Sequence, residues 1–541
     1  MTAGTMLPPA MSQFADRVRS STQSMTMMNQ TLKPDVAKLQ DTIKHVVVLM
    51  LENRSFDNLL GWLYPNMRTP DGQHFEGLTR DLWNPLENID PDGIGFIEKV
   101  PVEKNGEPKS RYGKPVPNPE DMTLPNPDPG EGFKCTNQQL FGHYDVPLQY
   151  PPPATNMGFV QNYQNAMLYG AYGFHDDPTN PRAIMKCYTP EQTPVLSELA
   201  RSFAVCDHYH CSVPSQTIPN RDFVHAATST GHVNNGPAVQ CDAKTIFNQI
   251  QDAIDAGRKE LSWGIFGNNM FSSSKDLEGK FGKDHFSLTR LIMTRLHDQR
   301  FDGNFGALDD FAARCAGGDL PSYAFLEPNY SGPGQNDQHP PSDIRAGEQL
   351  IADVYNMVKA SPAFNQVLLV ITYDEHGGCY DHVQPPGGAK NPEPDQIGQD
   401  GFLFNRFGVR VPCVVVSPHI RKGLVARPAG FTPYDHTSII RTVQQCFGLA
   451  GTLTKRDQAA PDFSGLLTEA VARKDDIPVV HPRQWNPGAG QASLNDLHRV
   501  ISKMLCDMSG TAVPESGDFR EFIELSSNHL FGGAPPAAAR K

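Results

Sequence analysis

The densest chemistry in the chain lies in Asp374-Glu375-His376-Gly377-Gly378-Cys379-Tyr380-Asp381-His382, where five ionisable side chains of ligand type fall within nine positions. They follow directly on the apolar run Val367 to Tyr373, which reads as a strand. Asp and His together suit a divalent cation, and a spare imidazole can give a proton to a leaving alkoxide. The two glycines let the backbone turn closely around whatever these groups surround. A solvated loop with an Asp-His hydrogen bond is the plainer alternative, but clustered carboxylates are costly without a cation.

Other segments carry residues of the same kind. Glu52 and Asn53 end the run His45 to Leu51, whose consecutive aliphatic residues fit a strand buried on both faces. At the carboxyl end of such a strand a carboxylate and a carboxamide suit a hard cation or a phosphate, and a helix cap by Asn53 or Ser55 accounts for them equally well. Thr217 stands just ahead of Pro219, which favours the first turn of a helix. A hydroxyl there can attack a phosphorus held by helix amides, with Asn220 and Arg221 as added donors, or it can simply cap the helix. Asp435 and His436 open the helical stretch 437–447 and read as a last ligand pair or, for Asp435, as an N-cap. His339, in Asp337-Gln338-His339-Pro340, is a candidate phosphate donor, although a lone imidazole is more often structural.

These groups are spread over nearly 400 positions, so a fold must gather them. Further strand-length apolar runs at 202–206, 323–326 and 411–417 each end at a polar residue, with helical patterns such as 347–359 between them. The alternation predicts an α/β fold, with a mostly parallel central sheet flanked by helices on both faces and the polar strand ends on one rim. Residues 65–155 are dense in Pro and Gly and are expected to form a long insertion beside that rim, with a second insertion at about 268–320. The catalytic domain then spans 43–455. An N-terminal arm, 1–42, precedes it and is a candidate for homo-oligomer contacts; a C-terminal segment, 456–541, is expected to pack on or near the core.

Composition narrows the function. The 541 residues are 38% hydrophobic and 20% charged, as in a globular chain with a sizeable core, and 46 Gly with 47 Pro predict long loops. A formal charge of -13 argues against nucleic acid as a partner. Ten cysteines without a CxxC pair support neither a zinc ribbon nor a redox dithiol. Neither a transmembrane segment nor a cleavable signal peptide is visible, which favours the cytoplasm or secretion without a cleaved signal.

Taken in order, Glu52 to Asp57, Thr217 to Arg221, Asp374 to Gly378 with Tyr380 to Val383, and Asp435 to Ser438 resemble the motifs of the phosphoesterase family over residues 43–450. That family holds phosphatidylcholine-type phospholipases C, plant non-specific phospholipases C and the acid phosphatase A group. The resemblance implies an alkaline-phosphatase-like core in which Glu52, Asn53, Asp435 and His436 hold a divalent metal cation together with the Thr217 hydroxyl, the nucleophile. His339, His382, Asp374, Glu375, His376 and Asp381 would bind phosphate, carry the leaving-group proton or complete the site. Glu131 stands where many members carry a histidine, at a substrate contact, and Ile218 replaces the usual histidine before Pro-Asn-Arg. The implied substrate is a phosphate ester or phospholipid headgroup, cleaved in a phospholipase C-type reaction. An acid phosphatase of the same family and an inactive headgroup-binding protein are the alternatives. Phe133, Phe141, Tyr144, Phe271 and Phe281 would line a lipid entrance or serve as loop packing.

Overall fold

The computed structural model of the chain describes residues 32–89, 95–111, 114–116, 118–147, 151–169, 180–236, 240–267, 287–330, 334–485 and 495–509. Its centre is an eight-stranded sheet. In chain order the strands are β1 His45–Leu51, β2 Ala204–Val205, β3 Trp263–Gly267, β4 Phe305–Ala307, β5 Tyr323–Glu327, β6 Val367–Tyr373, β7 Cys413–Val416 and β8 Leu424–Val425. Their spatial order is β4-β3-β5-β1-β6-β7-β2-β8. All neighbouring pairs are parallel except those made by β7, which runs against both β6 and β2.

Every residue of β6, and all of β1 beyond His45, is buried, so both faces of the sheet are covered. The helices used below are α1 Val36–Thr42, α2 Phe56–Leu60, α3 Phe133–Phe141, α4 Phe159–Tyr169, α5 Pro194–Ser202, α6 Thr217–Ala226, α7 Ile246–Asp255, α8 Leu308–Gly317, α9 Ile344–Ala360, α10 His436–Phe447 and α11 Asp496–Ser509. One layer runs from α8 through α9 to α5, each packed on the next, crossing the sheet from β3 to β2. A second consists of α6 and α10 packed on each other, with α1 and α7 beside them. The expected α/β architecture, with its mostly parallel sheet, is therefore the one observed.

The second insertion and the N-terminal arm are bounded differently from expectation. Phe305–Ala307 and α8 fall within the stretch 268–320 assigned to an insertion, yet they form the edge strand and part of a core helix layer. The end of the expected arm is anchored: α1 packs on α10, Leu39 is fully buried and Leu32 bridges to Pro428. The rest of the arm, like Phe271 and Phe281, lies outside the described residues. Beyond 455, Phe463, Leu466, Leu497 and Ile501 are buried in the main core. The described cysteines are free thiols, all buried except the half-buried Cys135. Among the described residues no helix is long and apolar enough to cross a membrane.

β1 carries the sheet's geometry, being paired along its length with β6 and in part with β5. Leu49, opposite Leu326 and Ile371, is fully buried. Replacing it by Ala is expected to lower stability by about 3 kcal/mol through lost contacts and the cavity left behind. A fall in the urea unfolding midpoint measures this, and an unchanged midpoint would contradict the central place given to β1.

Candidate active site

The acidic groups at the centre of the site stand at strand ends. Glu52 and Asn53 follow β1, Asp374 and Glu375 follow β6, and the register pairing Leu51 with Tyr373 delivers the four side by side. All four are fully buried. Asp374 Oδ1 accepts the backbone N–H of Asn53 at 2.9 Å and that of Glu375 at 2.8 Å. Asn53 sits at φ 54°, a left-handed backbone that asparagine tolerates, and its side-chain nitrogen donates to Glu375 Oε1 at 2.6 Å and Glu131 Oε1 at 2.8 Å. Gly377, at φ 61°, closes the turn: a Cβ there would meet Asn53 O at 2.1 Å.

Thr217 is the first residue of α6, but its hydroxyl does not cap the helix. Its Oγ1 lies 3.3 Å from Glu52 Oε2 and 3.4 Å from Asn53 Oδ1, and Gln216 occupies the cap position. Arg221, one turn on, donates from Nε to Glu52 Oε1 at 2.9 Å, with Nε 3.8 Å from Asp374 Oδ2. It neutralises a carboxylate of the site through Nε and Nη2, while its buried Nη1 has no hydrogen-bond partner. Burial pushes the Glu52 carboxyl well up and the charge of Asp374 adds to it, against the pull of Arg221. Asp374 Oδ2 has no hydrogen-bond partner although it is buried. Glu52, Asn53, Thr217 and Asp374 thus offer an all-oxygen donor set containing an unmatched carboxylate oxygen, and these residues fit a hard divalent cation.

Other expected members of the site are placed differently. Asp435 is the N-cap of α10: one oxygen accepts the Thr437 N–H at 3.2 Å and hydroxyl at 2.5 Å, the other the Ser212 hydroxyl at 2.9 Å and Arg456 Nε at 3.1 Å. With both oxygens engaged it stands as a cap, and the carboxylate that lies beside Glu52 and Asn53 is that of Asp374. His436 points Nε2 at Asp374 O, 2.6 Å away, and Nδ1 at the Tyr209 hydroxyl, 3.1 Å away, so it buttresses the Asp374 backbone; burial lowers its pKa to about 4. Asn220 accepts the Val213 N–H and donates to the carbonyls of Val213, Ser215 and Gln216, tying down the loop before α6 and leaving no donor for a substrate. The expected cradle of helix amides is also curtailed, because the Ile218 N–H donates to Asn235 Oδ1 at 2.9 Å and Pro219 has none.

Glu131 and His339 meet at the edge of the oxygen nest, with His339 Nε2 3.6 Å from Glu131 Oε1 and Nδ1 3.7 Å from Asp128 Oδ1. Burial, then the charges of Asp128 and Glu375, push the Glu131 carboxyl well up. His376 is held by α3, its Nε2 2.7 Å from Gln139 Oε1, and burial lowers its pKa to about 3. Gln139 and Asp496 carry no motif and were not foreseen from the sequence. Asp496, at the start of α11, accepts from Gln216 Nε2 at 2.6 Å and so joins the C-terminal segment to the residue before Thr217. Of the proposed lipid-entrance aromatics, Phe133 is buried against Phe402 and under Arg406, whereas Tyr144 is exposed.

Asp381 and His382 belong to a separate charge network. Arg410 bridges Asp57 at 2.8 Å and Asp381 at 3.0 Å, and His382 Nδ1 lies 2.6 Å from Asp57 Oδ2. The Gly377-Gly378 turn therefore parts two halves of one motif, sending Asp374 to Thr217 and His382 to Asp57. Burial alone would depress His382, but the charge and hydrogen bond of Asp57, with Glu76, raise it to about 10. Burial alone would raise Asp57, but His382 and Arg410 hold it below its ordinary value.

Two outcomes follow from this geometry. Gly377→Ala forces Asn53 to move and is expected to weaken divalent-cation binding at least about tenfold, as read by calorimetric titration; an unchanged affinity would detach the turn from the cation site. The raised His382 pKa gives stability that is complete below its unfolded value of 6.5 and is lost as pH rises toward 10, while that of Asp57 is complete above 3.8. Between about pH 6 and about pH 9.5 the urea midpoint should fall in the wild type and fall less in His382→Asn. Parallel slopes would remove the Asp57–His382 pair from the account.

The phosphoesterase family profile matches residues 43–450. Non-specific phospholipase C6 of Arabidopsis thaliana is 34% identical over 489 residues, covering 87% of this chain and 82% of that protein. Non-specific phospholipase C3 of the same plant is 34% identical over 454 residues, with 81% and 76% covered. Phospholipase C B of Mycobacterium tuberculosis is 26% identical over 518 residues, with 91% and 89% covered. On the extent of these matches, the chain belongs to the phosphoesterase family.

Proposed function

We propose that this phosphoesterase cleaves a phosphodiester in a reaction of phospholipase C type, with Thr217 as the nucleophile. The observation that carries the proposal is the placement of Thr217 Oγ1, buried at the start of a helix and 3.3 Å from Glu52 Oε2. The substrate class follows the plant and mycobacterial relatives, which are named phospholipases C. Thr217 Oγ1 attacks phosphorus as its proton passes to Glu52, and the bond from phosphorus to the ester oxygen breaks as the phosphothreonine forms, the departing alkoxide taking a proton from solvent. Arg221 holds Glu52 in place for that transfer, and Asn53 orients the hydroxyl from the other side. Water then attacks the phosphothreonine and gives a proton to solvent, the Oγ1–phosphorus bond breaks, and the Thr217 oxygen regains its proton from Glu52. Glu52, Asn53, Thr217 and Asp374 would hold a divalent cation, which would supply Lewis acidity that lowers the hydroxyl pKa and offsets phosphoryl charge.

Most of the catalysis in such a site is electrostatic and positional, so removing the nucleophile abolishes a route that neighbouring groups cannot replace. Thr217→Ala is expected to lower kcat by at least about 10³ with the fold retained, and Thr217→Ser to keep much of the activity. Release of phosphocholine from phosphatidylcholine is the readout, with release of phosphate from a monoester in parallel. Near-normal turnover by Thr217→Ala would remove Thr217 from the mechanism, and preference for the monoester would assign the chain to the phosphatase branch. Chelation is expected to abolish turnover, with recovery on adding back a divalent cation.

A further inference from the structure

Beside the oxygen nest lies another set of ligand atoms, provided by Asp128, Glu131 and His339, one from each residue and all within 4.8 Å of one another. Asp128 Oδ1, Glu131 Oε2 and His339 Nε2 are buried and lack any hydrogen-bond partner, and the Glu131 and His339 side chains are completely buried. Each of the three residues has its other polar atom anchored. The Asp496 N–H donates to Asp128 Oδ2 at 3.0 Å, Asn53 donates to Glu131 Oε1 at 2.8 Å, and His339 Nδ1 meets Pro340 O at 2.8 Å. A carbonyl accepts only from a protonated Nδ1, so Nε2 keeps the lone pair that a metal needs. One anchored and one open atom per residue is the arrangement of ligands steadied by outer partners. Arg54, a buried cation nearby, donates to the carbonyls of Gln338 and Leu124 and to Asn58, and makes no ion pair with the cluster among the described residues.

We infer that Asp128, Glu131 and His339 form a second divalent-cation site, distinct from the all-oxygen nest of Glu52, Asn53, Thr217 and Asp374. Two carboxylates and one imidazole nitrogen suit a borderline ion such as Mn²⁺ or Zn²⁺ better than a purely hard one. The site also answers a problem of charge. Glu131 and Glu375 both accept from the Asn53 side chain, so a phosphoryl group at Thr217 meets carboxylates on that side. Positive charge held there turns a repelling wall into an attracting one. That consequence rests on the proposed phosphoesterase reaction; the binding of the ion does not.

Equilibrium dialysis of the full chain against Mn²⁺, with spin-echo spectroscopy of the bound ion, tests the site separately from turnover. The wild type is expected to hold two ions per chain and to show modulation from one directly bonded imidazole nitrogen. His339→Gln should hold one ion and lose the nitrogen signal, Glu131→Gln should lose the same ion, and Asp374→Asn should lose the other ion while keeping the nitrogen signal. Near-ultraviolet circular dichroism reports whether each variant is folded. One ion per wild-type chain, or two retained in folded His339→Gln, overturns the inference. Failure of the catalytic reading appears instead as absent ester hydrolysis with the dialysis result intact.

Discussion

The lateral pairing of β1 with β6 is the constraint on which the site depends. Parallel strands in register from His45–Val367 to Leu51–Tyr373 end together, so the residues that follow each strand are forced into adjacency with no further instruction. Two carboxylates, a carboxamide and a further carboxylate then crowd one short rim. Burial of both strands on both faces holds that rim rigidly, since a slip by one residue would turn every core side chain to the opposite face. α6 adds the threonine from across the rim, and Arg221 on the same helix makes the juncture tolerable by pairing with Glu52.

The rim accumulates negative charge that hydrogen bonds alone do not balance. Glu52, Glu131 and Glu375 are each pushed toward the neutral form, first by burial. Carboxylates gathered in this way are stable only beside cations, and the chain treats its two clusters differently. Around Asp57 and Asp381 it supplies its own, with Arg410 and a protonated His382. Around Asp374, Glu131 and Asp128 it leaves buried oxygen atoms without hydrogen-bond partners, with Arg221 as the nearest cation to Asp374. The first arrangement is a finished brace, and the second is a set of ligands.

The parts legible in the sequence are those written in local pattern. Unbroken aliphatic runs announced β1 and β6, and the polar residues after them announced the rim. The two edge strands and the inner β3 were hidden because they are short or interrupted: β4 has three residues, β8 two, and β3 carries glycine at two of its five positions. Roles were harder to read than places. Asp435 was open to capping or ligation, and the choice is made by Ser212 and Arg456, neither of which its own motif contains. Asp381 and His382 sit within eight residues of Asp374 in sequence, yet the double-glycine turn carries them to a different set of partners. Asn220 resembled a substrate donor because its loop partners lie behind it in the chain, where only the folded turn brings them together.

The reversed direction of β7 has an evolutionary consequence. Thr372 pairs with Cys413, so the chain leaves β6 and enters β7 at the same end of the sheet, the end that carries the reactive groups. A parallel successor would have required a crossover to the far end and back. Residues 374–412 are instead moored at two adjacent posts. Room for altered length or composition lies only in the exposed part of that excursion, about residues 393–400, because Phe402 and Phe404 are buried against Val213 and Phe223, beside the nucleophile's helix.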